Sequence, residues 1–334
     1  MNMQWLILFT LLISFLITLI ITPYWIRRAK KAGLVGQDKH KINNVEIAEV
    51  GGLSVICGYV FAILFYIAIS VFIYNQPNQI LIYILAALVS ILVATIIGIV
   101  DDISGWKIGL RKRYKILLTF FIALPIMVIN AGHSTMTFPI IGIIDLGLLY
   151  PLLIIPIGIM GSSNGFNMLA GYNGLEASQG IIILSTLGLI SYFTGSTYVC
   201  VLAFSMVFSL IAFLYYNKFP SKIFPGDTLT YSAGALIGII AILGNIEKFA
   251  LIIFGLYYFE LLLKARGGMK KESFARLNSD GTLSRPHNKY YGIEHIVIDV
   301  IKKFKKKVYE KDVVMMISFL QILLSIFTLI YFLI

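Results

Sequence analysis

The stretch that decides the architecture is Ile80 to Asp102, ILIYILAALVSILVATIIGIVDD, in which 21 residues without a charge run straight into two adjacent aspartates. An α-helix rises about 1.5 Å per residue, so such a run covers about 30 Å, the depth of a bilayer's hydrocarbon core. The rest of the chain reads the same way. Of its 334 residues 59% are apolar and 13% charged, with a mean hydropathy of +0.89. Soluble domains hold roughly 45–50% apolar and 25% charged residues, so a water-soluble enzyme is excluded. The net charge of +11 lies in short gaps between apolar runs, where basic residues set membrane orientation, and this argues against a nucleic-acid partner. Cys57 and Cys200 both fall inside apolar runs without C-x-x-C spacing, which removes a disulfide framework and a zinc site.

Ten apolar runs follow one another, near 3–22, 51–74, 80–100, 115–130, 146–162, 179–194, 197–216, 229–244, 248–264 and 313–334. Pro151 and Pro156 interrupt the fifth, and only Thr194-Gly195-Ser196 divides the sixth from the seventh, so nine or eleven crossings stay open. The fold class expected is all-α, a polytopic membrane protein forming one catalytic domain over 1–334. The first run has no basic residue before it and no small-residue cleavage site after it, and is expected to remain as a helix. The gaps hold six Lys or Arg at 23–50, five at 101–115, two at 217–228 and thirteen at 264–312, while the alternate gaps hold Lys248 alone. By the positive-inside rule these basic loops are cytoplasmic and both termini are not. The last basic loop, 265–312, should form a small hairpin around Asn278-Ser279-Asp280-Gly281. An amphipathic helix should follow, with Val297, Ile301, Phe304 and Val308 on one face and lysines elsewhere, lying on anionic headgroups.

Chemistry-bearing residues gather in the basic loops and one amide-rich loop. Asp101 and Asp102 stand at a membrane boundary, where adjacent carboxylates suit a metal or phosphate site, although pairing with Arg111 and Lys112 in the same loop explains them as well. Lys115 opens the next run, placed to meet a phosphate at headgroup height or simply to snorkel. The loop from Asn164 to Glu176, NGFNMLAGYNGLE, combines three amides and three glycines. Glycines allow close backbone approach, and amides both ligate a hard cation and read a base edge. Phe224-Pro225-Gly226-Asp227-Thr228 adds a third acid. Three acids with Asn167 on one side would suit Mg²⁺, which takes one or two carboxylates and substrate phosphate oxygens, and Arg285 to Lys289 supply cations for a phosphate-rich ligand.

In order along the chain, Gly36-Gln37-Asp38 with Glu49, Asp101-Asp102, the Asn164–Glu176 loop, Phe224-Pro225-Gly226-Asp227 and a basic His-containing loop resemble the polyprenyl-phosphate N-acetylhexosamine-1-phosphate transferase family. The run from Asn167 to Ala177 is most similar to the eukaryotic and archaeal UDP-GlcNAc:dolichyl-phosphate branch. Bacterial relatives usually have Asp at the places of Ala170 and Asn173, and the peptidoglycan enzyme has a histidine cluster where His287 is read as standing alone. The resemblance implies that a lipid-phosphate oxygen attacks the sugar-side phosphorus of a UDP-N-acetylhexosamine and UMP leaves. It implies Asp227 and Asn167 as Mg²⁺ ligands, with Mn²⁺ an alternative, and Lys115 on the polyprenyl (dolichyl) phosphate. Asn173 and Gly171 would read uracil with Phe224 stacked on it, and Asn164 and Glu49 would lie near the substrate. Arg285 and His287 would grip pyrophosphate and sugar, and Asp101 with Asp102 would organise the site. The choice of N-acetylhexosamine, an undecaprenyl carrier and a homodimer stay open, and a transporter or flippase is the rival reading. The loop beginning Ile103-Ser104-Gly105-Trp106 departs from the family.

Overall fold

The computed structural model describes residues 3–42, 45–75, 78–108, 112–138 and 142–334. In chain order, helix α1 (Met3–Lys31) leads into strands β1 (Val35–Gln37) and β2 (Glu46–Ala48), followed by α2 (Gly52–Phe72), α3 (Asn78–Ile108) and α4 (Lys112–Val128). Strands β3 (Thr135–Phe138) and β4 (Gly142–Asp145) precede a π-helical turn, Tyr150–Ile154, that runs into α5 (Ile155–Phe166). Then come α6 (Leu175–Phe193), α7 (Thr197–Asn217), α8 (Gly226–Leu243), α9 (Glu247–Ile253) and α10 (Gly255–Arg266). The chain closes with β5 (Arg276–Leu277), β6 (Leu283–Ser284), α11 (Ile293–Phe304) and α12 (Glu310–Leu333).

All ten apolar runs are helical. Among the described residues seven helices, α1, α2, α3, α6, α7, α8 and α12, are long and apolar enough to cross a membrane. The fourth, fifth and ninth runs are the short or interrupted ones: α4, the proline-bearing turn into α5, and α9–α10, broken at Phe254. α6 and α7 are two antiparallel helices and not one broken crossing, because Gly180 faces Leu210 while Gly188 faces Ala203 and Phe204. The described strands form three two-stranded antiparallel ladders, of which the sequence anticipated only the one around Asn278–Gly281.

α8 is the axis of the bundle. Some 89% of its apolar window is buried inside the protein, against 28% for α1 and for α12. Its sequence, GDTLTYSAGALIGIIAIL, explains why, since small residues let backbones approach where lipid supplies no hydrophobic drive between helices. A Cβ added at Gly98 of α3 would overlap the Thr228 backbone, one at Gly52 of α2 the Leu229 backbone, and one at Gly234 would lie 2.6 Å from Ser162 O. Buried hydroxyls tie the layers: Thr95 to Ser232 at 3.0 Å, Thr22 to Ser54 at 3.0 Å and Ser14 to Ser209 at 2.6 Å. The start of α8 is fixed from outside as well. Gly51 N–H donates to Phe224 O at 2.9 Å, Gly52 N–H to Pro225 O at 2.8 Å, and Phe224 N–H to Ala48 O at 2.8 Å, beside a parallel bridge from Ala48 to Ile223.

Two sequence expectations need correction. Residues 101–108 continue α3 as helix and are not a loop, so Asp101 and Asp102 project from a helical scaffold. The hairpin forms as expected, Arg276 opposite Ser284 and Leu277 opposite Leu283, but α11 does not offer its apolar stripe to a membrane. Ile293, Val297, Ile298 and Ile301 are buried against the protein, while the chain turns extended at Lys305 and Val308 O instead accepts the Leu283 N–H at 2.7 Å. Phe304, 85% exposed, is the one member of that stripe left outside.

Candidate active site

Four of the acidic and basic residues singled out in the sequence meet at the N-terminus of α8. Asp102 caps it: its carboxylate accepts Asp227 N–H at 2.7 Å, Thr228 N–H at 3.0 Å and Thr228 Oγ1–H at 2.6 Å. A helix N-terminus has free N–H groups and a positive dipole end, so an anion there is both bonded and electrostatically favoured. The cap aims the Asp227 side chain at its neighbours. Lys115 Nζ pairs with Asp227 Oδ2 at 3.0 Å and also with Asp101. Arg111 and the side chain of Lys112 lie outside the described residues, and the described cation that Asp101 meets is Lys115. Gly226, at φ +71°, must be glycine twice over, because a Cβ would also run into the Asp102 carboxylate.

The amides approach from α5, one turn away on each partner helix. Asn164 Nδ2 donates to Thr119 Oγ1 at 2.8 Å, and Thr119 lies one turn beyond Lys115 on α4. The Asn167 side chain, at the C-terminal cap of α5, lies beside Tyr231, one turn beyond Asp227 on α8. Phe224, half-buried, precedes Asp227 on the segment pinned to β2. Glu49 completes this group: its side chain lies over Gly36, and burial with the Asp102 carboxylate nearby raises its pKa above the ordinary carboxylate value.

Asn173 and Gly171 belong to a second cluster, reached through the β1–β2 hairpin that also holds Glu49. Asn173 donates its backbone N–H to Glu310 Oε1 at 2.7 Å, and its Nδ2 to Asp38 Oδ2 at 3.0 Å and Glu310 Oε2 at 3.2 Å. His40 lies against this trio, its ring 4.4 Å from that of Tyr172 and its Nδ1 3.5 Å from Glu310 Oε1. Gly171, at φ +100°, packs on the Phe274 ring and donates its N–H to Glu176 Oε1 at 2.7 Å. Asp38, His40 and Glu310 bring ligand atoms within 4.8 Å of one another, the geometry of a metal site. Every oxygen of the two carboxylates already accepts a donor from Asn173, His40 N–H or Lys41, so the group works as a hydrogen-bonded clamp.

The last loop forms a third group. Arg285 pairs with Asp299 at 3.3 Å and lies 4.9 Å from the Tyr290 ring, whose hydroxyl donates to Asp299 at 3.1 Å. His287 does not stand alone: the His295 ring is 6.2 Å away. His295 is buried, accepts the Tyr291 N–H at Nδ1 and has its pKa lowered by that burial. Beneath this loop Glu260 accepts Ser273 Oγ–H at 2.9 Å and Ile293 N–H at 2.7 Å, and Lys264 donates to Met168 O at 2.5 Å. Glu260, Lys264, Glu294 and Glu310 escaped sequence reading as site residues. Their partners lie up to 137 positions away, and no local spacing announces them.

Along the C-terminal half of α8 runs an apolar cavity of about 430 Å³ between α5, α8 and the broken pair α9–α10, lined by Ile154, Gly161, Asn164, Ile237, Phe254 and Leu261 among others. Asn164 thus faces the groove and, through Thr119, the Lys115 side of α4.

Comparison with known proteins places the chain in a family. The model of glycosyl transferase family 4 matches residues 84–245, which include Asp101, Lys115, the amide loop and Asp227. A protein of Saccharolobus solfataricus, provisionally named a UDP-N-acetylglucosamine–dolichyl-phosphate N-acetylglucosaminephosphotransferase, is 38% identical over 297 residues, 87% of this chain and 88% of its own. The enzyme of that name from Dictyostelium discoideum is 29% identical over 76% of this chain and 71% of its own. A phospho-N-acetylmuramoyl-pentapeptide-transferase of a Wolbachia from Brugia malayi is 32% identical over 78% and 81%.

Proposed function

Because the chain belongs to glycosyl transferase family 4, we propose that it transfers N-acetylglucosamine-1-phosphate from UDP-N-acetylglucosamine to a dolichyl-type polyprenyl phosphate, at the cytoplasmic face of its membrane. The observation that supports this best is that one protein carries both a carboxylate–lysine cluster at the α8 N-terminus and an apolar groove along α5, α8 and α10, with Asn164 lining the groove and bonding Thr119 on the helix that bears Lys115. A phosphate on a long isoprenoid needs both.

In the reaction a lipid-phosphate oxygen forms a bond to the sugar-side phosphorus, the bridging P–O bond breaks, and UMP leaves with the bonding pair. A phosphate monoester has its second pKa near 6 and is mostly dianionic at pH 7, so no side chain need remove a proton. Asp102 is in any case fully committed to the α8 cap. Lys115 holds Asp101 and Asp227 together and offers its ammonium to the lipid phosphate. Asp227 and Asn167 would hold Mg²⁺, for which carboxylate and amide oxygens are suitable hard ligands. When bound, the ion would neutralise charge on the pyrophosphate. Asn173, Gly171 and Phe224 take the nucleobase, Glu49 lies near the nucleotide, and Arg285 and His287 meet the pyrophosphate and sugar.

The test is incubation of purified protein with radiolabelled UDP-sugars, Mg²⁺ and dolichyl or undecaprenyl phosphate. N-acetylglucosamine label should enter the organic phase with dolichyl phosphate and stop on chelation. Label entering only from another UDP-sugar, or none at all, sinks the reading.

A further inference from the structure

The way Asn173 is held decides which of its polar atoms it can offer a ligand. Nδ2 donates to Asp38 and to Glu310, so both of its hydrogens are spent, and the backbone N–H donates to Glu310 as well. A carboxylate has acceptor capacity only, so turning the amide over would set Oδ1 against two anions. Oδ1 is then the atom left, for none of the hydrogen bonds that Asn173 makes among the described residues ends on it. The clamp is itself held still. Asp38 Oδ1 accepts the His40 N–H at 3.0 Å, Lys41 lies 3.1 Å from Asp38 Oδ2, and Glu310 is 3% exposed beside the buried His40 ring.

We propose that Glu310 and Asp38 are positioning residues that lock the Asn173 amide with Oδ1 as its only free atom, so that position 173 accepts a pyrimidine ring N–H and rejects a ring nitrogen bearing a lone pair. The inference rests on the reading that Asn173 meets the nucleobase. Uracil carries a proton on N3 and cytosine does not, so the clamp selects uridine over cytidine nucleotides. The lock depends on charge: Gln at 310 and Asn at 38 each present an amide that can donate, and Asn173 could then rotate.

The experiment measures binding of UMP, CMP and N3-methyl-UMP to the detergent-solubilised full chain by calorimetry. Wild type should prefer UMP to both others by about tenfold or more, the scale of one mismatched buried hydrogen bond. Glu310→Gln should narrow the UMP-to-CMP ratio, and the double variant Asp38→Asn, Glu310→Gln should narrow it by about tenfold, with thermal unfolding showing both folded. A merely structural role would weaken UMP and CMP alike. An unchanged ratio in the folded variants overturns the proposal. So does a wild type that binds N3-methyl-UMP as tightly as UMP, a result that needs no variant to fold. Unchanged UMP binding in Asn173→Ala would instead remove the nucleobase reading beneath it, so the two failures are distinguishable.

Discussion

Asp102 and Asp227 are separated by a single helix cap, yet their substitution should have opposite signatures. Asp102→Ala removes three hydrogen bonds from the α8 N-terminus, two of them from backbone N–H groups. It should cost about 2–3 kcal/mol of stability and most activity together. Asp227→Asn keeps the cap and should abolish turnover with the unfolding temperature unchanged, so thermal unfolding paired with a turnover assay separates the two roles. Glu294 makes a different prediction. Burial first, and the Glu260 carboxylate second, raise its pKa well above the ordinary value, so the folded state favours the protonated form. Stability from this group is full below the unfolded carboxylate pKa and lost as pH rises through the raised one. Glu294→Gln should therefore raise the unfolding temperature at pH 8, with the gain shrinking on acidification, and an equal gain at both pH values contradicts the assignment. Asp101, Lys115 and Asp227 were legible because a charge in a chain this apolar stands out. Glu294 and Glu310 were not, and Asp38 was legible only as part of a motif, since their meaning lies in partners supplied by other loops.

At the level of elements, hydropathy located the helices and charge separated the loops, but neither shows which helix is central. α8 becomes the axis through Gly52, Gly98 and Gly234, whose missing Cβ atoms make room for neighbouring backbone, a property of pairs of helices that a single run does not display. The apolar stripe of α11 illustrates the same limit: its periodicity was right and its partner was protein, not lipid. The groove between α5, α8 and α10 yields the prediction for this scale. A Cβ at Gly161 would meet open space, so Gly161→Leu should fold normally while filling the cavity. Excluding one or two isoprenoid methylenes at about 0.8 kcal/mol each should raise KM for the lipid phosphate on the order of tenfold and leave UMP affinity unaltered. Parallel losses for both ligands would remove the groove from the lipid's path.

For the whole molecule, the contacts that link β1–β2, the 221–225 segment, the amide loop and the 264–310 loop put these loops at one end of the bundle. Lys39 reaches Glu272 at 3.2 Å, Ala48 bridges Ile223, and Asn173 reaches Asp38 and Glu310. Cysteines placed singly at Lys39, Lys222 and Asp280, with Cys57 and Cys200 replaced, should stay unlabelled by an impermeant maleimide until cells are opened. One at Ser196, in the α6–α7 turn, should label from outside; label at position 222 from outside would reverse the proposed orientation. The clamp on Asn173 also sets a timetable. Its two jaws, residues 38 and 310, are made at opposite ends of translation, and at roughly 5–20 residues per second the second follows the first by about 15–55 s. Until Glu310 arrives, Asp38 alone holds the amide, and a chain stopped short of α12 should show a weaker preference for the base it receives.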